Sequence, residues 1–212
     1  MNNDTSLERH QMTVRQIQAR GIRNPRLIQA FESVPRHLFV PEELRHLAYE
    51  DNALPVGSDQ TISQPYMVAL MTDLLNLEGD ERVLEIGTGT GYQAAILSHV
   101  AKEVHTIEFI DALAADARLR LKDYKNIECH VGDGSIGWPE AAPYDGILAT
   151  AAAPRAPQAV LDQLKDGGKL VLPVGGEGYQ MLEVWTRSGD RFERRVEIGV
   201  AFVLLRGKYG WT

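Results

Sequence analysis

From residue 82 onward the chain alternates between two hydrophobic periods. Short apolar runs at 82–87, 103–109, 127–133, 144–150 and 169–175 have the length and pattern of strands. Between them, residues 93–100, 111–124 and 157–165 carry helical patterns. Strands alternating with helices predict a parallel sheet covered on both faces. The pattern changes after Gly175. Residues 181–187 and 192–200 are strand-like and joined by Ser188-Gly189-Asp190, a hairpin signal. Residues 201–206 read as a further strand, so an antiparallel edge is expected on the parallel sheet.

Ahead of the sheet the pattern is helical, then irregular. Thr5-Ser6-Leu7-Glu8 has the form of a capping box opening a helix that Gly21 stops. Leu7, Met12, Val14 and Ile17 form its loose apolar set. Asn24 as cap and Pro25 at the first position start a second helix, with Leu27, Ile28 and Phe31 on its buried side and Pro35 at its end. Residues 36–64 show no clear period, and long irregular segments often carry function. Residues 65–77 are helical again, with Met67, Leu70, Met71, Leu74 and Leu75 as a core stripe. One domain over 1–212 is expected, in three parts: 1–64 as N-terminal helices and irregular segment, 65–175 as α/β core, and 176–212 as C-terminal hairpin and strand.

Composition narrows the partners. The 212 residues suit one globular domain, and 44% hydrophobic with 24% charged is ordinary. The net charge of −7 argues against nucleic acid as a partner. The charge is uneven: six arginines against three acids give +3 over residues 1–36 and leave −10 for the rest. A solvated helix face accounts for the basic segment. Cys129 is the single cysteine, set in an apolar run that suggests a buried strand residue, and no disulfide within the chain is expected. The polar start Met1-Asn2-Asn3-Asp4 has no leader-like apolar stretch, and no run has membrane-spanning length. A cytoplasmic monomer that engages no membrane is the expectation.

The chemistry centres on Glu85-x-Gly87-x-Gly89-x-Gly91, between the first of these strands and its helix. Glycines there let a ligand approach the main chain, and the helix start offers free N–H groups. A dinucleotide fingerprint would need a third glycine at position 92, which is Tyr92. The spacing instead resembles the S-adenosylmethionine loop of Rossmann-like methyltransferases. The acid ahead of the glycines suits a cationic amino group, such as that of the methionine moiety. A glycine-rich turn of another α/β protein is the competing reading.

In open α/β sheets ligands sit at the carboxyl ends of strands, which makes those ends informative. Glu108 lies 21 residues past Gly87, where an acid typically binds ribose hydroxyls. Gly132-Asp133-Gly134 places a carboxylate that can accept a hydrogen bond from an adenine amino group. Thr150-Ala151-Ala152-Ala153-Pro154 lacks the Asn/Asp-Pro-Pro-aromatic motif of many amine methyltransferases. Ser63, just before a helix, is by spacing alone as well explained by capping as by function.

Leu54-Pro55, Gln60-Thr61-Ile62-Ser63-Gln64-Pro65, Val83–Gln93 with the glycine loop, Gly132-Asp133-Gly134, Thr150–Pro154 and Lys169–Gly175, taken in order, resemble the protein-L-isoaspartate O-methyltransferase family. The resemblance implies a class I S-adenosylmethionine-dependent methyltransferase fold, α/β with a mostly parallel doubly wound sheet. The substrates it implies are damaged proteins and peptides bearing L-isoaspartyl, and often D-aspartyl, residues. It implies an active-site role for Ser63, with Glu85, Gly87, Thr88, Gly89, Gly91, Tyr92, Glu108, Asp133 and Gly134 as the cofactor-binding set. Leu204, Arg206 and Phe109 depart from the family pattern, the first two in a region that, by the resemblance, lines the peptide site. A carboxylate acceptor is already ionised at pH 7, so neither a catalytic histidine nor a metal is expected. His10, His37, His46, His99, His105 and His130 form no zinc-ligand spacing. By the same resemblance the methyl ester collapses to a succinimide, which reopens partly to normal aspartate. The alternatives are another S-adenosylmethionine-dependent methyltransferase, a non-catalytic binding module and, third, a dinucleotide oxidoreductase.

Overall fold

The computed structural model describes residues 4–211. Residues 1–3, on which most of the leader reading falls, lie outside them. The centre is a seven-stranded sheet. Its strands are β3 (Arg82–Ile86), β4 (Glu103–Glu108), β5 (Ile127–Val131), β6 (Tyr144–Ala149), β7 (Leu164–Gly176), β8 (Tyr179–Ser188) and β9 (Arg191–Val200). The spatial order is β5-β4-β3-β6-β7-β8-β9. The pairs from β5 through β7 are parallel, and β8 and β9 add the antiparallel edge. The order reverses at β3, which lies between β4 and β6. That reversal leaves a crevice above the carboxyl end of β3.

Alternation along the strands splits the interior into two cores. Val83, Val104 and Leu148 face one side with Phe31, Met71 and Tyr92. That side carries α2 (Pro25–Ser33), α3 (Pro65–Leu75), α4 (Tyr92–Leu97) and α5 (Asp111–Leu121). Leu84, Ile107, Ile147 and Leu170 face the other, with Val160 and Leu161 of the short helix α6 (Gln158–Leu161). No helix among the described residues is long and apolar enough to cross a membrane.

Local signals work where their partners are local. Asn24 Oδ1 accepts from the backbone N–H of Arg26 and Leu27, with Pro25 next, as the sequence suggests. Thr5 does not form the expected capping box. Its hydroxyl bonds His37 Nδ1 and Tyr49 Oη, both at 3.2 Å, and α1 (Ser6–Met12) has no side-chain cap. Beyond α1 the chain continues as a π-helical stretch, Thr13–Ile17, where Thr13 Oγ1 donates to Arg9 O at 2.9 Å. Gly21 then stops it with a left-handed conformation. Ile28 and Cys129 are half-buried rather than buried.

Three elements differ from expectation. The irregular segment holds a hairpin, β1 (Leu54–Gly57) and β2 (Gln60–Ile62), turned by Ser58 and Asp59 with φ of 52° and 55°. Two adjacent left-handed residues make the turn that follows strand twist. The helix expected over 157–165 ends at Leu161, because Leu164 is taken into β7 and pairs with Tyr144. Residues 201–206 form no strand. They run across the end of β6, where Ala152 N–H donates to Val203 O and Leu205 N–H donates to Ala152 O, each at 2.8 Å. Leu204 bridges only to Ala152 and Arg206 only to Trp211, so no ladder propagates.

Candidate active site

The crevice is a cavity of about 790 Å³, within the roughly 300–1,000 Å³ typical of small-ligand sites. One wall is the glycine loop with Glu85 and Glu108. A second is β2 and the start of α3, from Gln60 to Met71. The third is the C-terminal run 198–206. The site therefore draws on all three parts of the chain.

Each loop glycine has its own reason. Gly87 has φ +94°, and a Cβ there would stand 2.4 Å from Thr150 Oγ1. That threonine, at the end of β6, donates to Gly87 O at 2.7 Å and locks the loop to the sheet. Gly89 has φ +52°, and no atom lies within 4 Å of where its Cβ would be. Its open side is available to a ligand, and a β-branched residue would be both strained and in the way. Gly91 serves packing: a Cβ would meet Leu121 of α5 at 3.0 Å, and Gly91 is not in the cavity lining.

Glu85 ends a core-facing strand and is fully buried. Its Oε2 accepts from Thr106 Oγ1 at 2.6 Å, which is itself 2.6 Å from Thr88 Oγ1. Its Oε1 is buried and has no partner, and Glu85 is among the residues that line the cavity. Burial pushes the carboxyl up to about 8; the Thr106 hydrogen bond opposes this and the Glu108 charge adds to it. A cation at Oε1 would relieve that desolvation. Glu108, 6% exposed, accepts from Gly89 N–H at 2.8 Å and from Ile110 N–H at 3.0 Å. It is thereby held at the mouth of the loop, with carboxylate lone pairs to spare for hydroxyl donors.

Of the sequence-predicted set, Ser63, Glu85, Gly87, Thr88, Gly89, Tyr92, Glu108 and Gly134 line this one cavity. Asp133 does not. Its Oδ1 accepts from Ser135 N–H at 2.9 Å and Ser135 Oγ at 2.6 Å, and its Oδ2 accepts from Lys208 N–H at 2.7 Å. A Cβ on Gly207 would stand 1.9 Å from Oδ1. The carboxylate is packed against the C-terminal turn and anchors it. Gly134 does reach the cavity, and a Cβ there would collide with Ile86 Cγ2 at 2.6 Å. Ser63 is not a cap: the cap of α3 is Gln64, with no side-chain hydrogen bond to the helix start.

Sequence reasoning missed several lining residues. Met67 and Met71 belong to the core stripe and also face the cavity. Arg20 crosses over from the N-terminal helices to lie 3.2 Å above the Tyr66 ring centroid while its Nη1 contacts Asp51 Oδ2 at 2.9 Å. Tyr179, Val200 and Phe202 line it as well. Tyr92 is held from behind by Arg36, a fully buried guanidinium 4.8 Å above its ring whose Nε donates to Ala48 O at 2.8 Å.

A mostly parallel sheet with an antiparallel edge, a glycine loop after β3 and an acid at or near the carboxyl end of each of β3 and β4 define a class I S-adenosylmethionine-dependent methyltransferase. The fold agrees with a solved Plasmodium falciparum structure in complex with S-adenosyl-L-homocysteine, at a TM-score of 0.78 and 22% identity over 93% of this chain and 98% of that one. The family model for protein-L-isoaspartate(D-aspartate) O-methyltransferase matches residues 8–210. Relatives named protein-L-isoaspartate O-methyltransferase include one from Methanoregula boonei, 55% identical over 96% of this chain and 95% of its own length. Another, from Dictyoglomus thermophilum, is 52% identical over 90% of this chain and 88% of its own. A solved protein-L-isoaspartate O-methyltransferase superposes at a TM-score of 0.86, with 28% identity over 95% of this chain and 67% of that chain. The chain belongs to the protein-L-isoaspartate (D-aspartate) O-methyltransferase family. Its cofactor is S-adenosylmethionine, and the orphaned Glu85 Oε1 and the open side of Gly89 fit that group.

The buried carboxyl makes stability depend on pH. A group whose pKa is raised on folding stabilises fully below its unfolded value, and that contribution is lost as pH rises through the folded value. For Glu85 the window runs from the ordinary carboxylate range up to about 8. Without cofactor, Glu85→Gln should therefore melt progressively higher than the parent between pH 5 and pH 8. A melting difference that stays flat, or shrinks, over that range would contradict the burial account.

Proposed function

We propose that the chain transfers the methyl group of S-adenosylmethionine to the free carboxylate of L-isoaspartyl residues, with D-aspartyl residues as a second substrate, in damaged proteins. Family membership over residues 8–210 carries this reading. The bound cofactor supplies an electrophilic methyl group on its sulfonium sulfur. The chain supplies position. In this reading Glu85 receives the cofactor's amino group, Glu108 its ribose hydroxyls, and the Gly87–Gly89 backbone approaches it closely. Gly91 and Asp133 act one step behind, by packing α4 on α5 and by anchoring the C-terminal turn.

The acceptor needs no base, because a carboxylate is ionised at pH 7. What it needs is alignment, and misplacement by about 1 Å can cost on the order of a hundredfold. We assign that task to Ser63. It lines the same cavity as the glycine loop, and its hydroxyl is not used to cap α3. The run 198–206, with Leu204 and Arg206 in it, is the further wall a peptide would meet. The net charge of −7 supports a protein rather than a nucleic-acid substrate. We assign the work to a cytoplasmic monomer, one domain throughout.

Two peptides identical except for one isoaspartyl or aspartyl residue test the substrate. The isoaspartyl peptide should be methylated on the order of a hundred times faster, to a base-labile product that releases methanol. Equal rates, or a base-stable methyl group, would identify a different acceptor. Ser63→Ala should lower turnover on the isoaspartyl peptide by roughly tenfold, the worth of one hydrogen bond to a charged group, while cofactor affinity and melting temperature stay unchanged. A variant with full turnover and only a lower melting temperature would return Ser63 to a structural role.

A further inference from the structure

Away from the cavity, the outer strands of the parallel sheet bring three metal-binding side chains to one point. His105 of β4 stands in register with Glu128 of the edge strand β5, and His130 follows two residues along β5. All three therefore project from the same face. His105 Nδ1 is 3.0 Å from His130 Nε2 and 3.7 Å from Glu128 Oε2. One ligand atom from each of the three lies within 4.8 Å of the others. Two ligands about 2.0–2.1 Å from a tetrahedral ion are roughly 3.3 Å apart, so both measured separations are within a few tenths of an ångström of a coordination edge.

The surroundings are those of a held site. The remaining nitrogen of His105, Nε2, faces Glu103 Oε1 at 2.9 Å, and Glu103 is in turn held by Arg82 Nε at 2.9 Å. A carboxylate behind a histidine places the proton on the far nitrogen and turns the near lone pair toward a metal. The His130 ring is fixed by stacking on Trp138, at 4.1 Å and 18°, and lies within 9° of parallel to His105. His105 is buried, whereas the Glu128 side chain is 65% exposed, so the point is rigid on one side and open to entry on the other. None of these residues lines the cofactor cavity. The spacing of histidines along the chain hides the cluster because its members come from two strands.

We propose that His105, His130 and Glu128 form a binding site for Zn²⁺, with water in the fourth position and Glu103 orienting His105. Two imidazoles, one carboxylate and an open position are a donor set of that ion. It would tie the edge strand β5 to β4, the strand that ends in Glu108. His130 would carry its proton on Nδ1 in the bound form. Binding to the native chain alone raises its stability by mass action.

The full chain, stripped of metal and free of cofactor, is titrated with Zn²⁺ at pH 7.5 by calorimetry, and with Co²⁺ by visible absorption. One equivalent should bind, reversibly on chelation, with a rise in melting temperature that Mg²⁺ does not give and with the absorption of a four-coordinate Co²⁺ ion. Glu128→Gln, at an exposed position that leaves the fold intact, and His130→Ala should each remove the saturable binding. Glu103→Gln should keep one equivalent but weaken it about 10–100-fold, the usual effect of removing such a partner. Absence of a one-to-one phase in the parent chain, or the same affinity in Glu128→Gln and His130→Ala as in the parent, would overturn the proposal.

Discussion

The structure turns on a carboxyl group held where water cannot reach it. Glu85 sits near the carboxyl end of β3 with one oxygen satisfied by Thr106 and the other unpartnered. An unpaired acid in an apolar interior is unfavourable unless it is neutral or meets a cation. In the proposed reading this is the position that receives the cofactor's cationic amino group. Much of the loop architecture follows. Thr88 and Thr106 orient the acid, Thr150 fixes the loop that covers it, and Gly89 leaves the backbone open beside it. Such local violations of good packing are the mark of a binding site.

The sheet converts that constraint into a cleft. Because β3 lies between β4 and β6, the chain departs to both sides of Glu85 and leaves a crevice. Parallel register sets Glu85 against Thr106 and ends β4 in Glu108, so two acids of different environment share one wall. Glu108 is bound by backbone N–H groups; Glu85 is not. The opposite wall comes from outside the sheet, from the β1–β2 hairpin leading into Ser63 and from the C-terminal run that Asp133 anchors through Lys208 N–H. The glycine loop and both acids are thereby held at strand ends, and the rest of the lining on segments that vary more easily.

Much of this was legible in the sequence because the signals are short-range. The alternation of strands and helices, the Asn24-Pro25 start and the glycine spacing each depend on neighbours within a few residues. What was not legible depends on distant partners. Thr5 looks like a cap, but His37 and Tyr49 claim its hydroxyl. Asp133 sits between glycines as a ligand-binding acid would, yet a backbone amide 75 residues later occupies it. Residues 201–206 have strand composition and lack a strand to pair with. Met67 and Met71 read as core and are core, but the core at that point is also the cavity wall. The sequence pattern names residue types and periods; which face meets which neighbour is decided by topology.

In the proposed reading Glu85 exchanges a proton for the cofactor's ammonium group. Burial pushes that carboxyl up to about 8, and an ammonium group arriving beside it would favour loss of its proton. Calorimetric titration with S-adenosylhomocysteine at pH 7, in buffers of different ionisation enthalpy, counts the protons. Binding should release close to one proton per site, and Glu85→Gln should bind more weakly and release none. Binding with no proton released, or with the same release from Glu85→Gln, would contradict the claim that this buried acid receives the cofactor.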